Sequence, residues 1–223
     1  MEKQYRNTGY FFLTLLLFVA LGFYYPYFSL FPKFEFVTLI VHIHAITLFL
    51  WLVILIAQPL FIRYGKYKLH KLLGKFTYFL LPVVIITMIG VIRQGYIRGI
   101  NENMSSAQSL RAQFTNIAGI FTFLIYYLLG ISHILKGNVA LHMRYMICLF
   151  LEFVPPTVGR TLGYWLDIRQ IYTYSISLLL SAGILFYLVR MDKKRGLNYL
   201  PYKLALCLYV SVYAVWLLLG HPI

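Results

Sequence analysis

Two short patterns in the chain each set a histidine at the mouth of a long apolar run. Residues 65–74 read Gly-Lys-Tyr-Lys-Leu-His-Lys-Leu-Leu-Gly, and residues 137–146 read Gly-Asn-Val-Ala-Leu-His-Met-Arg-Tyr-Met. His70 and His142 occupy equivalent points in the two. Imidazoles at matching ends of two helices could ligate a haem b axially if they face each other. His133 maps to the same edge, and three neutral imidazoles are a zinc-type ligand set. Lys68, Lys71 and Arg144 surround them, so a basic patch touching anionic lipid headgroups accounts for the same residues without a cofactor or metal ion.

Glu152 is the second chemical signal. The other five acidic residues, Glu2, Glu35, Glu102, Asp167 and Asp192, fall at the ends of apolar runs or between them. Glu152 falls near the middle of one, where a carboxylate costs several kcal/mol unless protonated or paired. Pro155 and Pro156 follow it. Each lacks an amide proton, which frees the carbonyls of Leu151 and Glu152 four residues earlier. A carboxyl beside freed carbonyls at mid-membrane resembles a proton or cation site in a broken helix; a neutral, hydrogen-bonded Glu in a kinked helix fits the pattern as well. Arg160 lies two turns further on, ~12 Å along a helix axis. It is always charged and needs a partner or water inside a bundle, unless it snorkels to the interface as an anchor.

A third signal is the stripe His44, Trp51, Gln58. Spacing by sevens keeps these on one helix face, and the face should look into the bundle because lipid offers no hydrogen bonds. His42 is two residues from His44, about 200° around the helix, so the pair does not chelate one metal. No zinc-protease motif, nucleophile elbow, phosphate loop or carboxylate dyad is present.

The elements that position these residues are membrane helices. The chain is 61% apolar and 12% charged, against about a quarter charged in soluble chains. Apolar runs of about 20 residues cross a bilayer core as helix. Seven are read, at about 9–30, 36–62, 73–97, 114–136, 141–166, 170–190 and 203–220. They are too long and too uniformly apolar for barrel strands. The expected fold is an all-α, polytopic transmembrane bundle, with residues 1–223 forming one integral membrane domain. The first run follows Lys3 and Arg6 and lacks a small-residue cleavage site, so it reads as a retained helix bent near Pro26 rather than a signal peptide. Cys148 and Cys207 make no metal signature. Between Arg98 and about Gln113 lies the longest loop, in which Ser105 or Ser106 is suited to cap an early start of the fourth helix.

Fourteen of the twenty lysines and arginines fall on the side shared by the N-terminus and the 2–3, 4–5 and 6–7 connections. That asymmetry places the N-terminus in the cytoplasm. The net charge of +14 is thereby explained by topology and anionic lipid rather than by nucleic acid. The two histidine patterns are offset by 72 residues and run the same way through the membrane, which suggests a parallel repeat of helices 2–3 and 4–5.

Taken together, His44-Ala45, Trp51, Gln58, His70-Lys71-x-x-Gly74, His142-x-Arg144-x-Met146, Pro156 and Gly159-Arg160 resemble an uncharacterised family of bacterial predicted membrane proteins. The likeness covers roughly residues 40–165 and, through the family, extends distantly to small di-haem b-type cytochromes and membrane proteins that assist haem-oxidase assembly. Glu152 and Met143 depart from the family pattern. The resemblance implies a multi-pass protein of the bacterial cytoplasmic membrane.

Three functions are consistent with these residues. In a redox or haem-handling protein, the leading expectation, His70 and His142 are ligands and His44 is an outer ligand or quinone contact. In a small proton-coupled transporter, Glu152 titrates while Arg160 and His44 attract a small anionic ligand. The third is a non-catalytic assembly subunit of a respiratory membrane complex.

Overall fold

The computed structural model describes residues 6–35 and 37–219. Glu2, Lys3 and Phe36, which enter the charge and span reading above, lie outside the described residues. The described chain is helical throughout and contains no strand. Its helices are α1 (Thr8–Gly22), α2 (Leu39–Arg63), α3 (Tyr67–Asn101), α4 (Ser106–Leu135), α5 (Val139–Leu151), α6 (Val154–Leu166), α7 (Gln170–Lys194) and α8 (Leu200–Leu218). Six spans are long and apolar enough to cross a membrane, with α5 and α6 counting as two halves of one.

Three boundaries differ from expectation, each for a local reason. The first run ends as helix at Gly22, and residues 28–30 form a separate 3-10 turn. Pro26 cannot continue the helix, because its ring would meet the carbonyl four residues back. The long loop shrinks to residues 102–105. Ser105 accepts from the Gln108 amide while the Gln108 side chain accepts from the Ser105 amide. This capping box satisfies two orphan donors and extends α4 back through a polar stretch that has no apolar periodicity. The third difference is the span read at 141–166, which is interrupted at Glu152 and Phe153.

Neighbouring helices close into a ring in the order α1, α2, α3, α4, α5, α8, α7, α6 and back to α1. The broken span lies innermost: half of its apolar window is buried, against 33% or less in every other span. Phe12 of α1 stacks on Phe150 of α5 at 3.5 Å between centroids. Outward faces carry exposed Leu17, Phe79, Phe121, Leu128 and Leu179, the side chains a lipid-facing surface requires.

Candidate functional site

At the end of the bundle where α2 meets α3 and α4 meets α5, the two histidine patterns fold into the same turn and the same histidine-to-carbonyl bond. Gly65 and Gly137 take left-handed φ of 70° and 77°, a backbone region that favours glycine. In each turn the residue after the glycine donates five residues back, Lys66 to Phe61 and Asn138 to His133, which closes the helix C-terminus. Gly196 closes α7 in the same way, so the turn alone is not distinctive. The histidines are. His70 Nδ1 lies 3.3 Å from Gln58 O, and His142 Nδ1 lies 2.9 Å from Gly130 O, each twelve residues upstream. A carbonyl only accepts, so Nδ1 carries the proton and the neutral ring keeps its lone pair at Nε2. Gln58 returns the bond through Nε2 to His70 O at 3.1 Å. At Gly130 a Cβ would press on Met146 Cε and lie 3.3 Å from Tyr145 Cβ; glycine lets α5 approach.

His142 and His70 lie within electrostatic reach of each other, but His133 stacks on Tyr145 at 5.5 Å with the rings 8° apart. Among the described residues, no three His, Cys, Asp or Glu side chains converge as a metal-ligand group. The zinc-type set of His70, His133 and His142 is therefore not assembled; what exists is a pair of clasped imidazoles.

Arg144 corrects the reading of this end as a uniformly lipid-facing basic patch. Lys68 and Lys71 are exposed, but Arg144 is 1% exposed and Asp192 0%. Arg144 Nε donates to Asp192 Oδ2 at 2.6 Å, and Nη1 donates to Ala140 O at 3.0 Å. Asp192 sits in the last turn of α7, flanked in sequence by Arg190 and Lys193. Nothing in that neighbourhood marks it as the partner of a residue 48 positions earlier.

In the middle of the bundle, the α5–α6 break presents Glu152. Thr122 Oγ1 on α4 donates to Glu152 Oε2 at 2.9 Å, and Tyr209 of α8 stands beside the carboxyl. Tyr209 spends its proton on Leu151 O at 3.2 Å, one of the two carbonyls that the prolines release. Pro155 and Pro156 begin α6, where a missing amide proton costs nothing. The residue as a whole is half-buried, yet Glu152 Oε1 is enclosed and has no hydrogen-bond partner. Among the described residues Glu152 makes no ion pair. One neutral donor does not compensate a carboxylate in such a place, so the group is stable here as the neutral acid or with a bound cation. Tyr126, whose hydroxyl is also enclosed and unpartnered, lies within electrostatic reach of it.

The α2 stripe faces inward as its spacing requires. Trp51 is 1% exposed and packs on Phe123 and Tyr127 at 5.1 and 5.5 Å, and its Nε1 has no partner. Gln58 Oε1 is likewise unpartnered. His44 Nδ1 meets Thr87 Oγ1 at 3.3 Å, whereas His42 points elsewhere and meets the Tyr27 hydroxyl at 2.8 Å. Arg160 lies within electrostatic reach of His44. The structure thus brings Glu152 together with Thr122, Tyr126 and Tyr209, and leaves His44 within electrostatic reach of Arg160. None of Thr122, Tyr126 or Tyr209 stands out in a chain with 20 tyrosines.

Fold and site define the class: an all-helical, multi-pass membrane protein with a carboxyl in a broken inner span. No known protein family matches the chain, and neither does any curated protein or solved structure.

Proposed function

We propose that this chain is a small proton-coupled carrier of the bacterial cytoplasmic membrane, with Glu152 as the proton site. A single observation carries the reading: a carboxyl inside the innermost span with Oε1 unpartnered and no countercharge. Buried polar atoms are nearly always satisfied. Left unsatisfied, they cost stability, so an enclosed one next to a helix break is where a transported proton or cation is held. The enclosed, unpartnered atoms Trp51 Nε1 and Gln58 Oε1 on α2 and Tyr126 Oη on α4 add polar steps, and the α2 stripe runs most of the length of its helix. In this reading the N-terminus is cytoplasmic, α1 is a seventh membrane segment, and the α2–α3 and α4–α5 hairpins are a parallel repeat. The matching clasps support the repeat. The test is uptake of small organic ions into proteoliposomes with an interior pH dye. Wild-type protein should move protons with its solute, and Glu152→Gln should abolish that coupled movement. Equal proton movement in the variant refutes the assignment.

The clasped histidines favour a second reading, a redox or haem-handling role. Ligating histidines typically donate their second ring nitrogen to a carbonyl or carboxylate, which fixes tautomer and orientation. His70 and His142 do this, and their Nε2 atoms would hold a haem, which would supply one-electron chemistry. A Soret band on haem addition, lost in both His70→Ala and His142→Ala, supports it; a colourless protein after haem addition removes it.

A further inference from the structure

Arg160 sits on α6 two turns beyond Glu152, at the end of the bundle opposite the histidine clasps. Its Nη1 donates to Pro156 O at 3.1 Å, and its guanidinium lies 4.6 Å from the centre of the Phe23 ring at the end of α1. A guanidinium has five N–H donors. One is met by that carbonyl, and among the described residues no carboxylate pairs with Arg160. The residue is partly exposed and its bond to Pro156 O lies open at the surface of the bundle, so its charge is unpaired by any carboxylate and within reach of an incoming group. His44 on α2 is its electrostatic neighbour. Thr87 Oγ1 donates to Val84 O at 2.8 Å, so it accepts from His44 Nδ1 and leaves Nε2 for another group. Arg160 on α6 and Phe23 at the end of α1 thus meet at one unneutralised cation, with His44 of α2 within electrostatic reach.

We infer that Arg160, with Phe23 as an apolar wall and His44 within electrostatic reach, binds the carboxylate of a small organic monoanion that travels with the proton. The inference rests on the carrier reading of Glu152 and names its substrate class. A planar carboxylate matches the guanidinium fork, and one cation neutralises one negative charge. The aromatic face beside it suits a carbon skeleton better than an inorganic ion. With a proton at Glu152 and an anion at Arg160, the loaded carrier gains no net charge, which lowers the cost of crossing the bilayer core.

The experiment uses the full chain in an uncharged, phosphate-free detergent. Thermal stability and tryptophan fluorescence are titrated with benzoate and acetate, with chloride at equal ionic strength as the control. Wild-type protein should bind benzoate saturably, and chloride should give no saturable change. Arg160→Gln should weaken benzoate binding at least about tenfold (about 1.4 kcal/mol), Arg160→Lys less, and His44→Gln by a smaller factor still. If Arg160→Gln does not fold, the lysine and His44 variants carry the test. Binding unchanged in all variants that fold overturns the site, as does the absence of saturable binding by either carboxylate. Stabilisation by short-chain phosphatidylglycerol but not by benzoate also overturns it, and makes Arg160 a lipid anchor. Glu152→Gln separates the two ideas. Benzoate binding that persists there, with proton movement never coupled to Glu152, refutes the proton site and leaves the anion site standing. Glu152-dependent proton movement that Arg160→Gln leaves intact does the reverse.

Discussion

Asp192 and Glu152 are both carboxyls inside the bundle, and they are treated in opposite ways. Asp192 is sealed, and Arg144 meets it at 2.6 Å. Glu152 has one threonine donor, and its second oxygen is enclosed with nothing attached. A sealed pair commits both residues to structure, because separating them strands a charge. An enclosed carboxyl without a countercharge contributes little to holding helices together, and it stays free to take and release something. The difference separates the pin that joins α5 to α7 from the group on which the proposed proton coupling rests.

That contrast is sharpest in variants of each acid. Asp192→Asn strands Arg144 and should cost about 3–5 kcal/mol, read as a large fall in thermal stability in detergent; Arg144→Met with Asp192→Leu should recover most of the loss. The clasps come next. His142→Ala should cost about 0.5–1.5 kcal/mol, because it removes the second donor to a Gly130 carbonyl that keeps its helical bond, and a double-mutant cycle with His70→Ala should be close to additive if the two clasps work independently. Ser105→Ala removes one side of the capping box and should cost about 1 kcal/mol, seen as faster amide exchange in the first turn of α4. Smallest in stability is Glu152→Gln, at under about 0.5 kcal/mol, since the amide still accepts from Thr122. A large stability loss there, comparable with that of Asp192→Asn, would mean Glu152 is a structural pin as well, and the contrast would collapse.

Apolar run length and charge placement made the helical membrane class legible, and the sevenfold spacing made the inward face of α2 legible. A cap at Ser105 or Ser106 was legible too, because a cap is local in sequence; the structure selects Ser105 and adds Gln108 as its partner. Glu152 was visible through its isolation among apolar residues, and the prolines located the break. What remained hidden was long-range partnership. Arg144 looked like one more basic flank because its partner lies 48 residues away, among lysines. Thr122, Tyr126 and Tyr209 come to Glu152 from α4 and α8 through packing that no periodicity encodes. His133 had the right residue type and depth for a ligand, but one face of α4 stacks it on Tyr145 and takes it out of the set.

The brevity of α1 has a consequence for the surrounding lipid. Its 15 residues make a rod of ~22 Å, short of a hydrocarbon core of about 30 Å. A short element is accommodated by local thinning of the bilayer. The pinch would form where Gly22 abuts Thr157, whose carbonyl would lie 2.7 Å from any Cβ added there, and where Trp165 Nε1 donates to Leu21 O. Headgroups and bulk water would therefore dip toward α6 on one flank, which in the proposed carrier would shorten the path of a solute to the interior.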